Sequence, residues 1–192
     1  MEIKKLGIEG AFSISPKIYE DERGNFAEWF RQDLFEEIVG RKLNLLQANT
    51  SVSKAGVLRG IHFADLPPGQ AKYVTCLFGS VIDYVIDIRV GSPTFGQWDS
   101  VLLNSQTKNA IFISEGLGHA FLALEDNSVV SYLVSDVFRP DHEHGINPLD
   151  MSIGLNFPVP HESFIISQKD LEAPSLLDLQ ASNALPIWVS AK

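Results

Sequence analysis

The 192-residue sequence is poor in several features that would assign it to a particular class of protein. It has one cysteine, Cys76, so an internal disulfide cannot form, and we expect a buried free thiol in the strand-like segment 72–77. No run of about 18 uninterrupted apolar residues occurs, and the N-terminus lacks the apolar region of a secretory signal. The sequence therefore predicts a cytoplasmic protein without a membrane span.

Basic residues are also scarce, and they do not cluster. The 15 Lys and Arg residues are outnumbered by 24 Asp and Glu residues, which gives a formal net charge of -9. Because nucleic-acid binding relies on clustered cations that neutralise phosphates, this composition argues against a nucleic-acid surface. A small phosphorylated ligand stays compatible with it.

Several motifs of common enzyme classes are absent as well. The chain contains no G-x-S-x-G, no G-x-x-x-x-G-K-[ST] and no helix-initiating G-x-G-x-x-G, which excludes the usual hydrolase, nucleoside-triphosphatase and dinucleotide-cofactor classes. His142 and His144 have the spacing of a metal-binding pair, but their proline-punctuated surroundings predict a loop, and Ala64 replaces the second histidine expected beside His62. The polar settings of these two histidines and of His161 predict surface side chains. We therefore expect a site without a metal or another cofactor.

Short apolar or alternating segments are separated by Gly, Pro, Asn and Asp at intervals of about 8 to 12 residues, as in all-β sandwiches and barrels. This pattern predicts one β-rich domain over residues 1–192. The predicted strands are 56–63, 71–77, 79–89, 98–103, 109–113, 118–123 and 128–136. One amphipathic helix is predicted from about Arg31 to a stop at Gly40, and a loop, a short helix and a tail are predicted from about residue 158. Because sheet edges need partners, we also expect oligomerisation.

Two histidines, His62 and His119, lie in the apolar segments VLRGIHF and GLGHAFLAL, so both imidazoles should face the barrel interior or a pocket mouth. A lone histidine in such a segment is more often a satisfied core residue. Arg59 and Lys72 lie near His62 in sequence, and cations buried beside an imidazole require an anion. Strict alternation places Arg59 on the opposite strand face from His62 unless a bulge at Gly60 changes its direction. The residues alone leave a solvated rim and an anionic-ligand site both open.

Six segments together resemble the dTDP-4-dehydrorhamnose 3,5-epimerase family. They are DERGNFAEWF at 21–30, QANTSVSKAGVLRGIHF at 47–63, QAKYV at 70–74, DIRVGSPTFGQW at 87–98, GLGHAFLAL at 116–124 and SQKD at 167–170. They follow the family's order, and their combination is far more specific than any one of them. The resemblance implies a dimeric, cupin-type (jelly-roll) antiparallel β-barrel with a few short flanking helices. It implies a nucleotide-diphosphate sugar as substrate and no cofactor.

The resemblance also implies roles for individual residues. His62 is similar to the general base, Asp170 to the carboxylate that orients it, and Tyr132 to the acid that delivers a proton to the opposite face. Lys72 would stabilise the enolate oxygen. The substrate-binding positions are His119 at the sugar, Arg23 and Arg59 at the diphosphate, Phe26, Glu28, Gln47 and Asn49 at the nucleoside, and two further residues, Glu143 and Lys169. In a dimer, Arg23 and its neighbours would reach across the interface.

The implied activity is inversion of C3, C5 or both in a dTDP- or CDP-linked 4-keto-6-deoxyhexose, because the C4 ketone acidifies the adjacent C–H bonds. The chain departs from the family at positions we expect at the substrate end. Val137 and Phe138 replace an aromatic pair ending in tyrosine, Thr75 and Asn147 replace common arginines, and Leu133 replaces a lysine. The departures leave four alternatives: a single-centre epimerase, a ketoisomerase of the same barrel, a sugar-nucleotide binding protein without turnover, and a metal-dependent cupin oxygenase.

Overall fold

The computed structural model describes residues 1–189, most of which lie in β-strands and the turns between them. The strands are β1 (Glu2–Lys5), β2 (Ala11–Ser15), β3 (Ile18–Asp21), β4 (Gly24–Ala27), β5 (Gln47–Ser53), β6 (Val57–Ala64), β7 (Lys72–Phe78), β8 (Ser80–Ile86), β9 (Trp98–Asn104), β10 (Ala110–Ile113), β11 (Gly118–Ala123), β12 (Ser128–Val134), β13 (Glu143–Gly145) and β14 (Ile165–Ile166). The last three residues of the predicted C-terminal tail, 190–192, lie outside the described residues.

The strands form two sheets packed face to face. One has the order β1-β2-β10-β7-β12-β5 and the other β13-β6-β11-β8-β9, with β14 parallel to β6 and every other pairing antiparallel. β3 and β4 form a separate hairpin. The predicted all-β, cupin-type antiparallel barrel with a few short helices is confirmed. The single domain over residues 1–192 stays a prediction.

Each of the seven predicted strands matches one of the strands from β6 to β12. The strand predicted over 79–89 ends earlier, at Ile86, because the chain turns there around a buried ion pair. Asp87 accepts hydrogen bonds from the backbone, Nε and Nη2 of Arg89 and from the hydroxyls of Ser92 and Thr94. Burial alone would raise the pKa of Asp87, but these hydrogen bonds hold it below its ordinary value.

Three short α-helices flank the sheets: α1 (Gln32–Val39), α2 (Gln168–Leu171) and α3 (Leu176–Ala181). α1 is the helix predicted near Arg31, and it ends at Gly40 in the left-handed conformation, with φ of 83°. Its buried residue Phe35 packs edge-on against Phe112 at a centroid distance of 4.8 Å. This contact fastens the helix to the outer face of the first sheet.

The barrel core is filled by side chains from both sheets, including every residue of β10 and β11. Cys76 lies in this core with 1% of its surface exposed, and its thiol donates to the carbonyl of Phe78. Burial raises the pKa of Cys76 to about 11. The predicted buried free thiol is therefore confirmed.

Candidate active site

A bulge in β6 brings two predicted site residues into the same cavity. His62 lies opposite His119 on β11 and Arg59 lies opposite Phe121, so three steps along β6 match two steps along β11. Gly60 has φ of +120°, and a Cβ at that position would lie 2.6 Å from the Cβ of Ala120. The bulge explains how Arg59 and His62 can share a cavity although strict alternation would separate them.

This cavity, of about 210 Å³, opens between the two sheets. β5, β7 and β12 line one side, and β6, β11 and β13 line the other. The lining residues are Asn49, Ser51, Arg59, His62, Gln70, Lys72, His119, Phe121, Tyr132, Phe138 and Glu143. A concave site with converging polar groups and a few aromatic walls suits a polar small molecule.

His62 is oriented by the carboxylate of Asp170, whose Oδ1 lies 2.8 Å from its Nε2. Asp170 is buried in α2, where Ser167 caps the helix by accepting from the Asp170 backbone. Burial would raise the pKa of Asp170, but hydrogen bonds from His62 and Ser167 hold it below its ordinary value. The ionised carboxylate keeps a proton on Nε2, which leaves the Nδ1 lone pair of His62 free to accept another.

A second histidine–carboxylate pair lies at the opposite wall of the cavity. Nε2 of His119 is 2.8 Å from Oδ2 of Asp83, which is completely buried. Burial raises the pKa of Asp83, and the charges of His119 and Lys72 oppose that rise. Asp83 was missed by the sequence reasoning, which placed it on the more polar parity of β8. A carboxylate between two buried residues of a strand was the available signal.

Lys72 and Tyr132 complete the cluster of ionisable groups. Burial lowers the pKa of Lys72, whereas the charges of Glu143 and Asp83 raise it. Burial and the charge of Glu143 raise the pKa of Tyr132, opposed by Arg59. Tyr132 therefore keeps its proton at neutral pH, as a proton donor must.

Five of the predicted binding residues do not line the cavity. Arg23, on the turn of the β3–β4 hairpin, forms an ion pair with Asp21. Phe26 and Glu28, at the end of that hairpin, are both exposed. Lys169 lines a neighbouring cleft that shares Arg59 and His62 with the cavity.

The fifth residue, Gln47, contacts the cavity wall from behind. Its Oε1 accepts from the backbone N–H of Phe138 at 3.0 Å, and its Nε2 donates to Oδ1 of Asn49 at 2.7 Å. Gln47 thus supports a lining residue instead of being one.

The departures from the family pattern were expected at the substrate end, and most of them lie elsewhere. Thr75 is buried and donates to the carbonyl of Asn109, Leu133 is buried in the core, and Asn147 donates to the carbonyl of Leu171. Among the described residues, Phe138 is the one departure that lines the cavity. The expectation is therefore wrong for the other three positions.

The predicted loop at His142 and His144 is a short strand in part, because β13 pairs with β6. His142 and His144 each bond to one oxygen of Asp65, at 3.0 and 2.6 Å. His142 and His161 are exposed as predicted, and His144 is half-buried. Within residues 1–189, no three His, Cys, Asp or Glu side chains are arranged to hold a metal ion. None of the helices described is long and apolar enough to cross a membrane.

Comparison with known proteins identifies the family. A family model described as dTDP-4-dehydrorhamnose 3,5-epimerase matches residues 5–178. The dTDP-4-dehydrorhamnose 3,5-epimerase of Mycolicibacterium smegmatis is 52% identical over 100% of this chain and 94% of its own length. The dTDP-4-dehydrorhamnose 3-epimerase of Streptomyces niveus is 44% identical over 100% of this chain and 92% of its own length.

The fold agrees with these sequence matches. The solved structure of the rmlC epimerase of Mycobacterium tuberculosis superimposes with a TM-score of 0.95 at 50% identity, covering 98% of this chain and 94% of that one. The chain belongs to the dTDP-4-dehydrorhamnose 3,5-epimerase family and is an isomerase that acts on nucleotide sugars.

Proposed function

We propose that this chain inverts C3 and C5 of a dTDP-linked 4-keto-6-deoxyhexose, with His62 as base and Tyr132 as acid. The observation that carries the proposal is the 2.8 Å contact of Asp170 with His62, in a cavity that Tyr132 and Lys72 also line. A base, a protonated acid and a cation are the three groups that inversion next to a ketone requires.

The reaction begins with loss of a proton from the substrate. The C4 ketone acidifies the C–H bonds at C3 and C5, and Nδ1 of His62 accepts one of these protons. The electron pair of that bond moves into the carbonyl, which becomes an enolate. Asp170 stabilises the imidazolium that forms, because its carboxylate is fixed 2.8 Å from the other ring nitrogen.

The enolate oxygen needs positive charge or hydrogen-bond donors. Lys72 and His119 both line the cavity, and each is backed by the buried carboxylate of Asp83. A cation in a site shielded from water stabilises developing charge more strongly than it would in water. We therefore assign Lys72 and His119 to the C4 oxygen.

Inversion requires that the proton return on the other face of the ring. Tyr132 projects from the sheet opposite to the one that holds His62, and its raised pKa keeps it protonated. Tyr132 delivers its proton to the carbanion carbon while the carbonyl re-forms. The phenolate then regains a proton and the imidazolium loses one to solvent, so the reaction consumes no co-reactant.

Solvent exchange tests this reaction. Incubation of the protein with dTDP-4-keto-6-deoxyglucose in deuterated water is expected to place deuterium at C3 and C5 with inversion, as read by NMR. Deuterium at one carbon alone would identify a single-centre epimerase. Binding of the sugar nucleotide without any deuterium uptake would contradict the proposal.

We also propose that the active unit is a homodimer in which the β3–β4 hairpin of one subunit completes the nucleotide site of its partner. Arg23, Phe26 and Glu28 are predicted nucleotide ligands, yet they are exposed and do not line the cavity of their own chain. A second chain could place them there. The cytoplasmic location stays a prediction of the sequence.

Mixing two inactive variants tests the exchange of hairpins. Arg23→Ala and His62→Ala are expected to be strongly impaired alone. Heterodimers formed by co-expression should regain activity, since one of their two sites then carries both intact residues. Absence of any recovery in a verified heterodimer would place Arg23 and His62 in the same chain's site or exclude Arg23 from it.

A further inference from the structure

β5 presents a row of polar side chains to the barrel interior. Gln47, Asn49, Ser51 and Ser53 are half-buried or buried, whereas the residues between them are exposed. Three of the four have side-chain partners. Ser51 does not: its hydroxyl oxygen is shielded from solvent and has no hydrogen-bond partner within residues 1–189. A buried hydroxyl without a partner is unfavourable in the free protein, and a ligand that supplies the partner removes that cost.

The neighbour of Ser51 on one side is fixed as a hydrogen-bond donor. The backbone N–H of Phe138 donates to Oε1 of Gln47, which fixes the orientation of that amide. Nε2 of Gln47 then donates to Oδ1 of Asn49, so the acceptor of Asn49 is already used. Asn49 is left with its NH₂ group for a ligand in the cavity.

The neighbour on the other side orients an arginine. Ser53 is buried, and its hydroxyl accepts from Nε of Arg59 at 3.3 Å. The two terminal nitrogens of Arg59 have no hydrogen bond to the described part of the chain, and Arg59 lines the cavity. A guanidinium held through Nε presents its terminal N–H groups to oxygen atoms of an anion.

These three groups are all donors, and the row on β5 contains no carboxylate. Side chains that offer only N–H and O–H groups, one of them cationic, favour an oxyanion over a neutral ligand. Ser51 lies between the other two donors on the same strand face. Rotation about its χ1 angle between staggered positions can turn the hydroxyl toward a bound group without moving the strand.

We infer that Ser51 is a substrate-binding residue whose hydroxyl donates a hydrogen bond to a diphosphate oxygen held by Arg59. The inference rests on the proposed function for the identity of the ligand, a nucleoside diphosphate sugar. Gln47 and Ser53 act one step further away, as positioning residues for Asn49 and Arg59. The acceptor that Ser51 lacks in the free chain is the phosphate oxygen.

Calorimetric titration of the Ser51→Ala variant tests this contact. The affinity for dTDP is expected to fall about tenfold, as for loss of a hydrogen bond to a charged group, and the affinity for thymidine should not change. The melting temperature of the free variant should not fall, because the hydroxyl it lacks made no bond in the free protein. Thr50→Ala is the matched control, since Thr50 is exposed on the other face of the same strand.

The outcomes separate this inference from the proposed reaction. Unchanged dTDP affinity in Ser51→Ala, while the wild type shows deuterium exchange, would overturn the inference alone. Equal losses for dTDP and thymidine would place Ser51 at the nucleoside and would also overturn it. A tenfold loss confined to dTDP in a protein that fails to exchange deuterium would support the inference and overturn the proposed reaction.

Discussion

His62→Ala is expected to lower kcat for epimerisation by about 10²- to 10⁴-fold, the range that general-base catalysis contributes. Deuterium uptake at C3 and C5 should fall by the same factor, because no other side chain would take the proton. The affinity for dTDP should stay close to that of the wild type, since the diphosphate is assigned to other residues. NMR time courses and calorimetric titration measure the two quantities.

Two companion variants sharpen this test. Asp170→Asn is expected to lower kcat in the same direction, because a neutral amide cannot stabilise the imidazolium that forms at 2.8 Å. His161→Ala removes an exposed imidazole and should leave both rate and exchange unchanged. Wild-type exchange in His62→Ala would show that another group is the base.

Tyr132→Phe is expected to separate proton exchange from inversion. His62 would still remove the proton, and its imidazole would return a solvent-derived one to the same face, so deuterium should still enter the substrate. Formation of the inverted product should fall by about 10²-fold or more, because the acid on the opposite face is missing. The measurement is the ratio of deuterium uptake to inverted product by NMR.

Loss of a buried tyrosine hydroxyl elsewhere provides the control. Tyr84→Phe removes a hydroxyl that donates to the carbonyl of Asn156, away from the cavity lining. This variant should keep the wild-type ratio of exchange to inversion. Equal losses of exchange and inversion in Tyr132→Phe would mean that the tyrosine binds substrate or assists proton removal, and would refute its role as the opposite-face acid.

The predictable part of the fold was the set of strands from β6 to β12. Their apolar residues recur in runs or alternate strongly, and Gly or Asn residues separate them, so local pattern and tertiary structure agree. β1 to β5 were not predicted, because they are short or carry several exposed polar residues. Their strand conformation depends on pairing with neighbours distant in sequence.

The site was predictable to the extent that motifs mark it. His62, Asp170, Lys72 and Tyr132 come from three separate segments, and only their joint resemblance to a family indicated that they meet. Asp83 was missed because an acidic residue in an alternating strand is normally assigned to the solvent side. Its burial follows from coverage of both faces of β8, which the sequence of that strand alone does not reveal.

The position of Cys76 has a practical consequence for studying the nucleotide site. Its thiol is both shielded and resistant to ionisation at neutral pH, so maleimide and related reagents should pass it by. Any cysteine introduced on the exposed β3–β4 hairpin would then be the sole point of attachment for a fluorophore or spin label. Movement of that hairpin on ligand binding can thus be followed without first removing the native sulfur.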